Sequence, residues 1–141
     1  MEKKVVDILL IEDDNLDVID MQRSLDKMSI FHRTQVARNG EEALEILAKG
    51  IPSSYLPDIV LLDINMPKMN GFEFLHAIRK NDLYKDLKVF IITTSDERVD
   101  REAAKKLGVS GYIVKPLKLN NPSSMDSFNL MIDLLNMKSG I

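Results

Sequence analysis

Short apolar runs alternate with amphipathic stretches along the chain. Val5 to Ile11, Ile59 to Leu62, Val89 to Ile92 and Tyr112 to Val114 are runs in which almost every position is apolar. Runs this short and this continuous predict strands covered on both faces. His32 to Arg38 is a weaker, more polar run, so it predicts a strand at a sheet edge. Between the runs the period changes. Val18, Met21, Leu25 and Met28 follow one another at three or four residues, as one face of a helix does. Ala43, Leu44, Leu47 and Ile51 predict a second helix, and Phe74, Leu75 and Ile78 a third. Val99, Ala103 and Leu107 step by four, with Gly108 behind them where a helix C-terminus favours glycine. Phe128, Met131, Ile132 and Leu135 predict a last helix.

Five strand–helix pairs predict an α/β fold, a doubly wound parallel sheet of five strands with five helices on its two faces. Gly50 to Ser54 and Leu119 to Ser124 read as loops, the first a rather long one. With no internal repeat and no linker-like tract, residues 1–141 are expected to form a single domain. A chain of 141 residues, 45% apolar and 29% charged, has enough core to fold without a covalent staple. It has no cysteine, which removes disulfides, thiolate metal sites and thiol nucleophiles. Nineteen basic against 22 acidic residues leave a net charge of −3, which argues against nucleic-acid binding through net charge. The apolar runs are too short for a membrane span, and Asp7 with Glu12-Asp13-Asp14 interrupts any signal-peptide pattern. The expected setting is cytoplasmic.

Ligands of an open parallel sheet bind beyond the carboxyl ends of its strands. The polar residues there are Glu12-Asp13-Asp14 after the first strand, Asp63 after the third, Thr93-Thr94-Ser95 after the fourth and Lys115-Pro116 after the fifth. Singly, each has a plain explanation. Asp14 is expected to cap the helix that follows it. Asp63 would open a turn toward Pro67, Thr93 would satisfy a loop amide, and Lys115 would be a solvated charge. Their coincidence on one rim points to chemistry. Clustered carboxylates favour a cation between them, and an all-oxygen set suits Mg²⁺. A carboxylate beside Mg²⁺ can attack phosphorus, and metal, lysine and hydroxyl can share the charge of the moving oxygens. His32 and His76 lack partners at ligand spacing and read as structural, and the eight methionines read mostly as core.

With these residues in place, the chain resembles the receiver domain of two-component response regulators, of the chemotaxis-regulator type. The resemblance runs from about Val6 to about Asn136. Its pieces are Leu9 to Asp14, Leu61 to Pro67 with Asn70-Gly71, Ile91 to Thr93 and Gly111 to Pro116. Thr93 comes 30 residues after Asp63, and Lys115 another 22 later, as in that family. The resemblance implies strand order 2-1-3-4-5 and a phosphoacceptor at Asp63. It implies Mg²⁺ held by Asp13 directly, by Glu12 through water, by Asp63, and by the backbone carbonyl of Asn65. Thr93 would be the switch hydroxyl, Lys115 the ammonium that pairs with the phosphoryl group, and Tyr112 the aromatic switch partner. The Lys115-Pro116 bond is usually cis in the family. The donor would be a sensor histidine kinase. With no output domain expected after the last helix, a downstream protein or a second copy would meet the face of helix four, strand five and helix five. Thr93-Thr94-Ser95-Asp96 is similar to the corresponding run of small receivers that serve phytochrome-like kinases, and the loop through Ser53 and Tyr55 is longer than in the simplest members.

Two other classes are weighed. A hydrolase of the haloacid-dehalogenase type also uses an aspartate after a strand, but needs a second aspartate two residues on, where this chain has Asn65. A flavodoxin-like carrier would need glycine and hydroxyl residues for the flavin phosphate, where this chain has Asp13-Asp14-Asn15. The expectation is a phosphoacceptor switch rather than an enzyme acting on an external substrate.

Overall fold

The computed structural model describes residues 5–50 and 56–139. Five strands, β1 (Val6–Ile11), β2 (His32–Ala37), β3 (Ile59–Leu62), β4 (Val89–Thr93) and β5 (Gly111–Val114), alternate with five helices. These are α1 (Asn15–Lys27), α2 (Gly40–Lys49), α3 (Gly71–Arg79), α4 (Arg98–Lys106) and α5 (Met125–Ser139). The sheet is parallel throughout, in the order β2-β1-β3-β4-β5. The polar strand β2 lies at an edge, as its polar His32 to Gln35 stretch predicts, and these four residues are partly or fully exposed. Ile51 and the loop residues Ser53 and Tyr55 lie outside the described residues.

The all-apolar strands are explained by what covers them. Side chains of a strand alternate between faces, and here each face meets helices. Ile8, Leu10, Ile59, Leu61, Phe90, Ile92 and Ile113 pack with Val18, Met21 and Leu25 of α1 and Leu130 and Leu134 of α5. Leu9, Ile11, Val60, Leu62, Val89 and Ile91 pack with Leu47 of α2, Phe74, Leu75 and Ile78 of α3, and Ala104 of α4. Asp14 caps α1 as expected, its carboxylate accepting from the Leu16 and Asp17 amides at 2.8 and 3.2 Å. Asn70 caps α3 in a reciprocal box with Glu73. Gly71 follows because a Cβ there would lie 2.6 Å from Ile64 Cα and 2.7 Å from the Asp63 carbonyl oxygen. The start of α3 therefore presses directly on the segment that carries Asp63. Gly108 closes α4 at φ 72°.

Two predicted helix faces are rotated from those observed. In α4, Ala104 is the fully buried residue, while Val99 is 73% exposed. At about 100° per residue a row of fours drifts by about 40° per step, so it spirals away from the contact line. The narrow apolar face is Ala103, Ala104 and Leu107, and Val99 falls off its side. In α5 the core residues are Ser127, Leu130 and Leu134, whereas Phe128 and Ile132 are exposed. That helix carries apolar residues around most of its circumference, so spacing alone permits more than one inward face. The sheet takes one, and Phe128 and Ile132 are left outside. Leu119, placed in a loop by its sequence, is indeed in no regular element but is fully buried against the α1–α5 face.

Arg79, the last residue of α3, fastens one end of the sheet. Its Nε donates to the Leu107 carbonyl at 2.7 Å and its Nη1 to those of Leu87 and Lys85 at 2.9 and 3.0 Å. Its Nη2 donates to the Gly108 carbonyl at 3.3 Å. One side chain so ties the segment before β4 to the turn before β5.

Candidate functional site

Strand register brings the rim together. Ile11 pairs with Leu62, Leu62 with Ile91, and Thr93 with Val114. One step further on, the Asp63 amide donates to the Ile11 carbonyl and the Lys115 amide to the Thr93 carbonyl. Glu12, Asp63, Thr93 and Lys115 are thus set on one edge by backbone hydrogen bonds alone. Glu12, Asp63 and Thr93 are buried, and Asp13 is exposed at the mouth.

A carboxylate oxygen from each of Glu12, Asp13 and Asp63 lies within 4.8 Å of the others. Lys115 is the counter-charge. Its Nζ donates to Glu12 Oε1 at 2.5 Å, to Asp17 Oδ2 at 2.6 Å and to Asp63 Oδ2 at 3.3 Å. The second oxygen of Asp63 accepts from the Asn65 amide at 3.1 Å, so Asn65 turns back over the phosphoacceptor candidate. The Lys115-Pro116 peptide is cis.

The charges are out of balance, and the titration behaviour follows. Burial pushes the Glu12 carboxyl up to about 7; the Lys115 hydrogen bond opposes the shift and the Asp63 charge adds to it. Burial also opposes the charge on Lys115, but its hydrogen bonds to Asp17 and Glu12, with the Asp63 charge, outweigh that and raise its pKa above the ordinary lysine value. One ammonium among this many carboxylates leaves net negative charge. An all-oxygen donor set with two buried carboxyl groups and a surplus of negative charge fits a hard divalent cation.

Thr93 ends β4 on the same edge, and Tyr112 lies on β5 three residues before Lys115. Thr93 Oγ1 accepts from the Ser95 amide at 3.4 Å, the loop contact expected of a strand-end hydroxyl. Tyr112 is buried, although β5 is an edge strand. Its hydroxyl donates to the Ser95 carbonyl at 2.8 Å, and the Arg101 guanidinium stands 4.9 Å from its ring centroid. Arg101 also pairs with Asp96, and Ser95 Oγ donates to Asp100 at 2.6 Å.

Residues 8–124 match the family described as the response regulator receiver domain. The chain belongs to that family. Receiver domains accept a phosphoryl group on an aspartate from histidine kinases and change their contacts with partners in response. The response regulator Rcp1 of Synechocystis is 34% identical over 116 residues, 81% of this chain and 79% of that protein. A solved structure described as the Mn²⁺-bound form of Rcp1 superposes with a TM-score of 0.71 at 30% identity, covering 94% of this chain and 91% of that one. A two-component response regulator from Legionella pneumophila gives 0.77 at 34% identity, with 94% and 99% covered. The bacteriophytochrome response regulator AtBRR gives 0.74 at 31% identity, with 95% and 94% covered. Other curated relatives are longer proteins, of which this receiver spans 13% and 24%. Among the described residues no helix is long and apolar enough to cross a membrane.

The structure brings together Glu12, Asp13, Asp63 and Lys115, with Asn65 and Thr93 on the same rim, while Tyr112 lies within β5, paired with Ile91, and reaches the segment after β4 through its hydroxyl. The sequence reading missed Asp17. Its signal was available: Asp14 as cap places Asp17 in the first turn of α1, one turn beyond Asp13 and on the same rim. His32 bonds Thr34 at 2.7 Å and Asp26 at 3.2 Å, in keeping with a structural role.

Proposed function

We propose that residues 1–141 form a single receiver domain that takes a phosphoryl group on Asp63 from a sensor histidine kinase in a Mg²⁺-dependent reaction. The observation that carries this reading is the buried Asp63 carboxylate, shared between the acidic cluster and Lys115. Glu12, Asp13, Asp63 and the Asn65 carbonyl would hold the cation. When bound, Mg²⁺ supplies positive charge that offsets the phosphoryl oxygens. Asp63 is the nucleophile, Lys115 offers its ammonium to the transferred group, and Thr93 offers a hydroxyl from the end of β4. The chain's own chemistry is limited to gaining and losing this group. The relation to AtBRR supports a phytochrome-type kinase as the input.

Incubation with acetyl phosphate and Mg²⁺ should add one phosphoryl group by intact-mass spectrometry. Asp63→Asn and omission of the metal should each abolish the gain. Equal labelling of Asp63→Asn would remove the assignment.

The output face is α4, β5 and α5. Support for it lies in the apolar side chains left outside on those helices, Val99, Met125, Phe128 and Ile132, which a downstream protein or a second copy would cover. Adding beryllofluoride, a phosphoryl mimic, should shift NMR signals across 93–107, 111–115 and α5, and Thr93→Ala should shrink those shifts. Changes confined to the rim around Asp63 would contradict this output face.

A further inference from the structure

Asp17 is a carboxylate that the acidic cluster does not need. Its oxygens are not among those grouped around Glu12, Asp13 and Asp63, yet it accepts from Lys115 Nζ at 2.6 Å. That is 0.7 Å shorter than the 3.3 Å contact between the same nitrogen and Asp63. An ammonium has three N–H donors, and the three acceptors here are Glu12, Asp17 and Asp63. No donor of Lys115 is left for an incoming phosphoryl oxygen, so one of these contacts must open. Glu12 is buried and belongs to the acidic cluster. Asp17, with its side chain 35% exposed against 13% for Lys115, is the acceptor that water can most readily replace. A purely helical role does not explain the contact. An acidic residue in the first turn of α1 would favour the helix dipole while pointing into solvent, whereas this one ties α1 to the end of β5.

We propose that Asp17 is a positioning residue that holds Lys115 in the resting protein and so slows phosphoryl transfer to Asp63. The inference rests on Asp63 being the phosphoacceptor. In the reaction with acetyl phosphate, a carboxylate oxygen of Asp63 forms the new bond to phosphorus. The bond from phosphorus to the acetate oxygen breaks, and acetate leaves with that electron pair. Lys115 contributes by pairing with the phosphoryl oxygens, and it must first give up Asp17. The restraint is therefore felt in the rate, while the capacity to be phosphorylated is unchanged.

The test measures initial phosphorylation rates with acetyl phosphate at saturating Mg²⁺ for the full chain and four variants. Asp17→Asn removes the charge of the competing acceptor and should accelerate phosphorylation by about three- to fivefold, the scale of a partly exposed ion pair. Asp17→Ala should do the same, and it serves if Asp17→Asn does not fold. Asp17→Glu keeps the carboxylate and should return the rate to near the wild-type value, which a loss of packing alone would not produce. Asp20→Asn makes the same charge change on the same helix, in a residue lining the same small cavity as Asp17 and Lys115; it should leave the rate near wild type. An unchanged or slower rate in the Asp17 variants would overturn the proposal. So would equal acceleration by Asp20→Asn, which would reduce the effect to bulk charge. Failure of the phosphoacceptor assignment would show separately, as undiminished labelling of Asp63→Asn.

Discussion

Replacing Asp13 with alanine should raise the thermal midpoint of the metal-free protein and erase its rise with Mg²⁺. Glu12, Asp13 and Asp63 bring oxygens within 4.8 Å of one another, and burial already pushes Glu12 toward its neutral form. Removing one carboxylate relieves repulsion. Because Asp13 is exposed, water screens much of that repulsion, and the gain should be small, about 0.5 kcal/mol. The cation response is larger. A ligand at ten times its Kd, bound to the native state alone, contributes about 1.4 kcal/mol. For a domain of this size that corresponds to a rise of about 4 °C in the wild type. Thermal scans with and without Mg²⁺ read both effects. An unchanged Mg²⁺ response in Asp13→Ala would place the cation elsewhere.

The second large effect lies far from the chemistry. Arg79→Met keeps much of the side chain's apolar length but withdraws donors from four backbone carbonyls at Lys85, Leu87, Leu107 and Gly108. Hydrogen bonds from a charged donor contribute about 1.5–3 kcal/mol each when buried, and less where water can take over. Two of these four are partly buried and two exposed, so the expected loss is about 3 kcal/mol. Urea denaturation should show a lower midpoint with an unchanged slope. Phosphorylation of the folded variant should proceed at the wild-type rate, because Arg79 is not among the groups that touch Asp63. A loss below about 1 kcal/mol would mean that the clamp is redundant.

The catalytic rim was legible in the sequence for a physical reason. Continuous apolar strands mark a sheet covered on both faces, and in such a sheet the first polar residue after each strand must lie on one edge. Glu12, Asp63, Thr93 and Lys115 follow from that rule before any contact is known. Helix orientation was less legible. α5 is apolar around most of its circumference, so its spacing admitted the Phe128–Ile132 face, and only packing against Phe90 and Ile113 selects Leu130 and Leu134. In α4 the short apolar face of alanines gave Val99 more weight than its position warrants. Arg79 was not legible at all, because its partners are backbone carbonyls, which leave no mark in a sequence. Asp17 lay between these cases: its place on the first turn of α1 was readable, but its bond to Lys115, 98 positions away, was not.

The central claim is that Asp63 carries the phosphoryl group. An aspartyl phosphate is an acyl phosphate, and borohydride reduces it to an alcohol, converting that aspartate to homoserine and leaving free carboxylates untouched. After phosphorylation with acetyl phosphate and Mg²⁺, borohydride treatment and peptide mass mapping should find homoserine at position 63 and at no other aspartate. Homoserine at position 13, or at position 17, with position 63 intact would contradict the account.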